Sequence, residues 1–337
     1  MERDFRIDVL RAFACIMVLF CHAPQPLINQ SGAIFVGIVN YFGMSWGPIL
    51  FFMISGACIL WKEREAVPFF KRRFSKILVP TVLWSIVYIL IESFWWKTSP
   101  SDAWLTKIPS IIMGPQYSLM WFMYALIALY LITPILSKWL AKSNKSEICV
   151  YLMIWMLSLC VPYLTLIGID GSEMFNQTNI FYYFMGFACY AVLGYYCRKY
   201  VVGLKLTFGR VMLILLILLT PAYYYVIKYF TGQVFTSSHC LFQMLTTGLA
   251  FVGIYNLKMP RIISEGKGAA FIENISKLSF GIYLTHMVFM YPFRIWIAQF
   301  NLHYALQLPI TVLVVFVLSY ISSLLIYKLP FGKYIIG

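Results

Sequence analysis

Ten apolar segments, set apart by short polar connections, constrain this chain more than anything else in it. They run over residues 7–23, 33–61, 77–94, 117–136, 147–167, 180–197, 210–229, 239–257, 278–299 and 305–327. Each approaches or exceeds the ~20 residues that a helix needs to cross a ~30 Å hydrocarbon core. Backbone in lipid must satisfy its own hydrogen bonds, and a helix does so within one segment. The expected fold is therefore an all-α membrane protein, a polytopic bundle of about ten transmembrane helices. Charged residues make up 11% of the chain, against about 25% in a soluble domain, and this points to the same class.

Orientation follows from the basic residues, which gather on the cytoplasmic side of membrane proteins. With the N-terminus in the cytoplasm, all but Lys97, Lys107, Lys228 and Arg294 of the 26 basic residues fall inside. An even number of spans then puts the C-terminus inside as well. The net charge of +14 is spread over these loops, so it marks topology and calls for no nucleic acid. The longest polar stretches, roughly 62–76 and 258–277 inside and 95–116 outside, are too short for a soluble domain. Residues 1–337 are expected to form a single transmembrane domain with nothing soluble appended and no cleaved signal peptide.

The first segment breaks the rule that spans exclude charge, since it carries Asp8, Arg11 and His22. Taking such groups into hydrocarbon costs several kcal/mol. Arg11 and His22 are eleven residues apart, which is three turns and ~20° of a helix. They share a face, with ~16 Å between them along the axis. Asp8 stands one turn before Arg11 and is placed to pair with it.

Other polar residues in apolar surroundings are few. In the ninth segment Ser279, Tyr283 and His286 share one face, and interior polar groups in membranes pair or line a pathway. Arg294 lies ~80° round from His286 and either snorkels outward or faces the same cavity. The second segment holds Gly47-Pro48, which kinks a helix or breaks it. The run Lys71-Arg72-Arg73-Phe74-Ser75-Lys76 before Pro80 serves topology and anionic lipid, or a phosphorylated ligand that arginine clamps with paired bonds. Trp95, Trp96 and Trp104 read as an interfacial aromatic belt or a platform for a sugar ring. The eight cysteines are scattered without metal or CxxC spacing, so no metal is expected.

These residues, in this order, resemble the acyltransferase-3 family of integral-membrane enzymes. The likeness rests on Arg6-Ile7-Asp8-Val9-Leu10-Arg11 with His22 at its spacing, Phe51-Phe52-Met53-Ile54-Ser55-Gly56, and Arg72-Arg73 with Lys76. Leu119-Met120-Trp121-Phe122, Tyr130-Leu131-Ile132-Thr133-Pro134 and Ser279 through His286 complete it. The resemblance implies transfer of an acyl group from cytoplasmic acyl-CoA to a surface glycan or related acceptor. It places Arg11 and His22 at essential positions and sets Arg72, Arg73 and Lys76 against the CoA donor. Lys76 stands where the family commonly has a second arginine, which keeps the charge but loses the bidentate fork.

The expected reaction is O-acyl transfer with acyl-CoA, by family frequency acetyl-CoA, as co-substrate. His22 serves as general base towards an acceptor hydroxyl. His286, Tyr283 or Ser279 orients it or the acceptor, and Asp8 supports Arg11. The expected setting is the inner (plasma) membrane, with membrane lipid as surroundings and a glycan or lipid-linked saccharide as acceptor. A polytopic transporter or flippase for a lipid-linked sugar would share the architecture without consuming acyl-CoA.

Overall fold

The computed structural model describes residues 3–25, 27, 34–168, 180, 184, 186–201, 206–231 and 240–337. Among them the regular structure is entirely helical. The main helices are α1 (Phe5–His22), α2 (Ile34–Trp46), α3 (Pro48–Ile59), α4 (Ala66–Leu90) and α5 (Trp121–Lys142). They continue with α6 (Lys145–Ser158), α7 (Phe187–Tyr196), α8 (Leu206–Thr231), α9 (Leu241–Asn256), α10 (Gly266–Ala298) and α11 (Tyr304–Lys328).

A helix stands in each of the ten apolar segments. Among the described residues, four stretches are both long and apolar enough to cross a bilayer: Phe35–Ile59, Ala66–Trp95, Pro109–Lys142 and Tyr304–Lys328. The others depart for physical reasons. Helix α1 carries Arg6, Asp8 and Arg11 among its 18 residues, and α6 and α7 have only 14 and 10 residues. Apolar side chains such as Ile217, Leu218 and Leu219 on α8 and Leu313 and Leu325 on α11 are exposed, a surface suited to lipid rather than water.

The second apolar segment is two helices. Gly47 alone leaves helical geometry (ψ −100°), and Pro48 opens α3, where its missing N–H is harmless. The basic run expected in a loop is instead the first three turns of α4, which begins at Ala66. Much of the expected 258–277 loop is likewise helix, because α10 begins at Gly266 and runs for 33 residues.

Helix α1 is the hub, packed against α2, α3, α9, α10 and α11. Small residues allow this. A Cβ on Gly43 of α2 would strike the backbone of Cys21 and Phe20, so α2 lies directly on the His22 end of α1. Gly56 of α3 and Gly194 of α7 do the same for that pair, each facing the other helix's backbone. Close approach through small residues is how helices associate where lipid removes the hydrophobic drive.

Candidate active site

The N-terminal end of α1 is a polar hub. Asp4 caps the helix by accepting from Arg6 N at 3.1 Å and pairs with Arg198 at 3.2 Å. Asp8, only 4% exposed, accepts from Arg3 Nε at 2.7 Å and from Ser276 Oγ at 2.6 Å. That bond to Asp8 is the main reason the Arg3 pKa is raised. Arg11 stands at 4.0 Å from Asp8. The expected Asp8–Arg11 pair is thus the weakest of the three contacts, because Ser276 and Arg3 occupy the carboxylate first. The Arg11 guanidinium, 37% exposed, keeps a 3.6 Å contact to Cys58 Sγ and is otherwise available.

Arg11 lies between two cavities. One, of about 280 Å³, is lined by Arg11, Arg73, Lys76 and Lys277 with no Asp or Glu side chain among its walls. The second, of about 380 Å³, also includes Arg11 and Lys277, with Arg3, Arg198, Asp4 and Asp8. Four cations around one hollow repel each other unless an anion joins them, so the first cavity suits a phosphorylated ligand. Arg73 lies 5.8 Å over the ring of Tyr130, which also lines that cavity. Arg72 does not line it and is exposed. One residue is ~100° of helix rotation, so Arg72 leaves the face that Arg73 and Lys76 share.

The deep wall of this cavity is aromatic. Phe51, Phe122 and Tyr283 form it, with Ser279 beside them. The Tyr283 hydroxyl donates to the carbonyl of Leu119, and its ring centroid lies 5.2 Å from that of Phe122 and 5.9 Å from that of His286. Tyr283 thus lines the basic cavity and also packs beside His286, one of two facing imidazoles. His22 of α1 and His286 of α10 face each other with centroids 5.2 Å apart.

The proton on His286 has a determined place. Its Nδ1 is 2.6 Å from the carbonyl of Tyr283, and a carbonyl can only accept, so Nδ1 carries the hydrogen. Nε2 then holds the lone pair, fully buried and without a partner among the described residues. The Nδ1 of His22 contacts the amide of Gln25 at 3.1 Å.

The last carbonyls of α1 are tied by side chains of other helices. Asn40 of α2 donates to Cys21 O at 2.6 Å, and Arg294 of α10 donates to His22 O at 2.7 Å. Arg294 thus turns inward rather than snorkelling. Ser279 spends its hydroxyl on Ser276 O. Of the tryptophans, Trp95 is exposed while Trp96 packs at 4.4 Å on Tyr291. Lys277, Arg198 and Asn40 had no role in the motifs. Lys277 lies just before the Ser279–His286 stretch, and only helix packing shows that it lines both cavities. Among the described residues no group of three His, Cys, Asp or Glu side chains could hold a metal.

The fold and site define a helical membrane protein with a cationic cavity and, next to its Tyr283 wall, an imidazole pair of half-buried His22 and buried His286. Residues 4–328 match the family described as acyltransferase domain, so the chain belongs to the acyltransferase-3 family. No curated protein and no solved structure matches it significantly.

Proposed function

We propose that this membrane acyltransferase moves an acyl group, acetyl in the simplest case, from cytoplasmic acyl-CoA to a hydroxyl of a cell-surface glycan or lipid-linked saccharide. In this reading residues 1–337 form one domain of ten spans in the inner (plasma) membrane, with both termini cytoplasmic. The observation that carries it is the cavity of Arg11, Arg73, Lys76 and Lys277, which ends at Tyr283 with His22 and His286 beyond.

The donor phosphates lie among the four cations, and the thioester end extends past Tyr283 towards the imidazoles. The distance from Arg11 to His22 is ~16 Å along α1, so an extended donor is required. The acceptor oxygen attacks the thioester carbonyl carbon while His22 takes the hydroxyl proton. The C–S bond breaks, the thiolate leaves, and the imidazolium returns the proton to sulfur. His286, with its Nδ1–H committed to Tyr283 O, offers a second lone pair beside His22. Arg11 faces the donor, Asp8 braces Arg3 and Ser276 around it, and Ser279 and Tyr283 shape the passage.

The test is His22→Ala at normal abundance in membranes, assayed with labelled acetyl-CoA. Loss of a general base should reduce transfer by ~10²-fold or more. Transfer at near wild-type rate would remove His22 from this role. A transporter would move acceptor without releasing CoA thiol, so thiol release on adding acceptor separates the two activities.

A further inference from the structure

We infer that Arg294, Trp96, Tyr117 and Tyr291 form an acceptor subsite for an anionic saccharide, one carrying a carboxylate or phosphate near the hydroxyl that is acylated. The inference rests on the transferase reading above, with acceptor arriving at the His22 end of α1.

Arg294 is a guanidinium that the reaction as described does not use. Its Nη1 is taken by His22 O at 2.7 Å. Its Nε is buried without an acceptor, and Nη2 bonds to nothing among the described residues. No carboxylate among the described residues pairs with it. The C-terminal end of α1 supplies about half a negative charge, which leaves the rest of the cation uncompensated. An ionised residue in such surroundings is kept for a partner, and the partner that a guanidinium fits is a carboxylate or phosphate.

Two further observations locate that partner. Trp96 packs against Tyr291 at 4.4 Å and Tyr117 at 6.1 Å. Its Nε1–H is a second buried donor without an acceptor. Tyr291 stands one turn before Arg294 on α10, and Arg294 in turn holds the carbonyl of His22. A free guanidinium N–H on the residue that holds the His22 carbonyl, and a free indole N–H packed on Tyr291, suit a sugar with a charged substituent. An anion there would also cancel the positive charge standing beside the imidazoles when one takes up the acceptor's proton.

The experiment uses the full chain purified in detergent and follows its melting temperature with methyl β-glucuronide, glucose 1-phosphate and neutral methyl β-glucoside. At least one of the two anions should bind tenfold or more tighter than the glucoside, and which of them does distinguishes carboxylate from phosphate. Arg294→Gln should abolish that difference, and Arg294→Lys should keep part of it. Because Arg294 also ties α1 to α10, Trp96→Phe is the second variant, with the anion's affinity expected to fall several-fold. An anion response that survives Arg294→Gln, an equal response to the glucoside, or no response to either anion overturns the subsite. If Arg294→Gln fails to fold, unchanged anion affinity in Trp96→Phe does so. Labelled acyl transfer is read separately. Arg294-dependent anion binding without transfer keeps the subsite and removes the transferase reading, whereas transfer to glucuronide, phosphate and glucoside with equal kcat/KM does the reverse.

Discussion

At the scale of residues, the basic cavity makes a prediction that motif reading reverses. Lys277 lines both hollows beside Arg11, whereas Arg72 lines neither. Lys277→Ala should raise KM for acyl-CoA about tenfold, the effect of losing one charge-assisted contact of ~1.5 kcal/mol. Arg72→Ala should change it less than twofold. Initial rates against acyl-CoA concentration in membranes decide it, and equal effects would restore the motif's weighting. What the sequence made legible here was local. Helical periodicity alone puts Arg11 with His22, and Ser279 with Tyr283 and His286. The contact between His22 and His286 joins α1 to α10 and depends on how those helices are rotated and packed. The same dependence hid Asn40 and Lys277, and it displaced Arg11 from Asp8 once Ser276 arrived from α10.

At the scale of elements, the site depends on helices that touch backbone to backbone. Gly194 of α7 faces Met53 so closely that any Cβ would strike its main chain. Gly194→Val should therefore force α3 and α7 apart and lower the yield of monodisperse protein several-fold on size-exclusion chromatography. Gly248→Ala is the control. Its added carbon would meet only Leu193 Cδ2, at 3.7 Å, and the yield should not change. Equal losses would mean that helical glycines matter here for some reason other than close approach. A second element effect concerns the end of α1. Asn40→Ala leaves the buried carbonyl of Cys21 without its donor, a loss of ~1–3 kcal/mol. The melting temperature should fall, and activity should fall further than the lost stability explains, because His22 is the next residue.

At the scale of the whole molecule, the proposed reaction requires the two ends of α1 to face different compartments. Helix packing alone does not distinguish inside from outside, because a bundle has the same contacts in either orientation. The bias is electrostatic. Lys138, Lys142 and Lys145 cluster at the turn between α5 and α6, whereas the stretch between α4 and α5 carries only Lys97 and Lys107. One of these, Lys107, is neutralised by Glu92 at 3.0 Å, so the second stretch is poorer still in free positive charge. Positive loops stay in the cytoplasm, so the proposed orientation requires Ser146 inside and Asp102 outside, and both positions are exposed. A cysteine placed at each tests this in intact cells against the background of the native thiols. Asp102→Cys should react with a membrane-impermeant maleimide before lysis, and Ser146→Cys only after it. The reverse pattern would put the cationic cavity on the outside, away from cytoplasmic acyl-CoA. The donor reading would then fail even if every contact around Arg11 were correct.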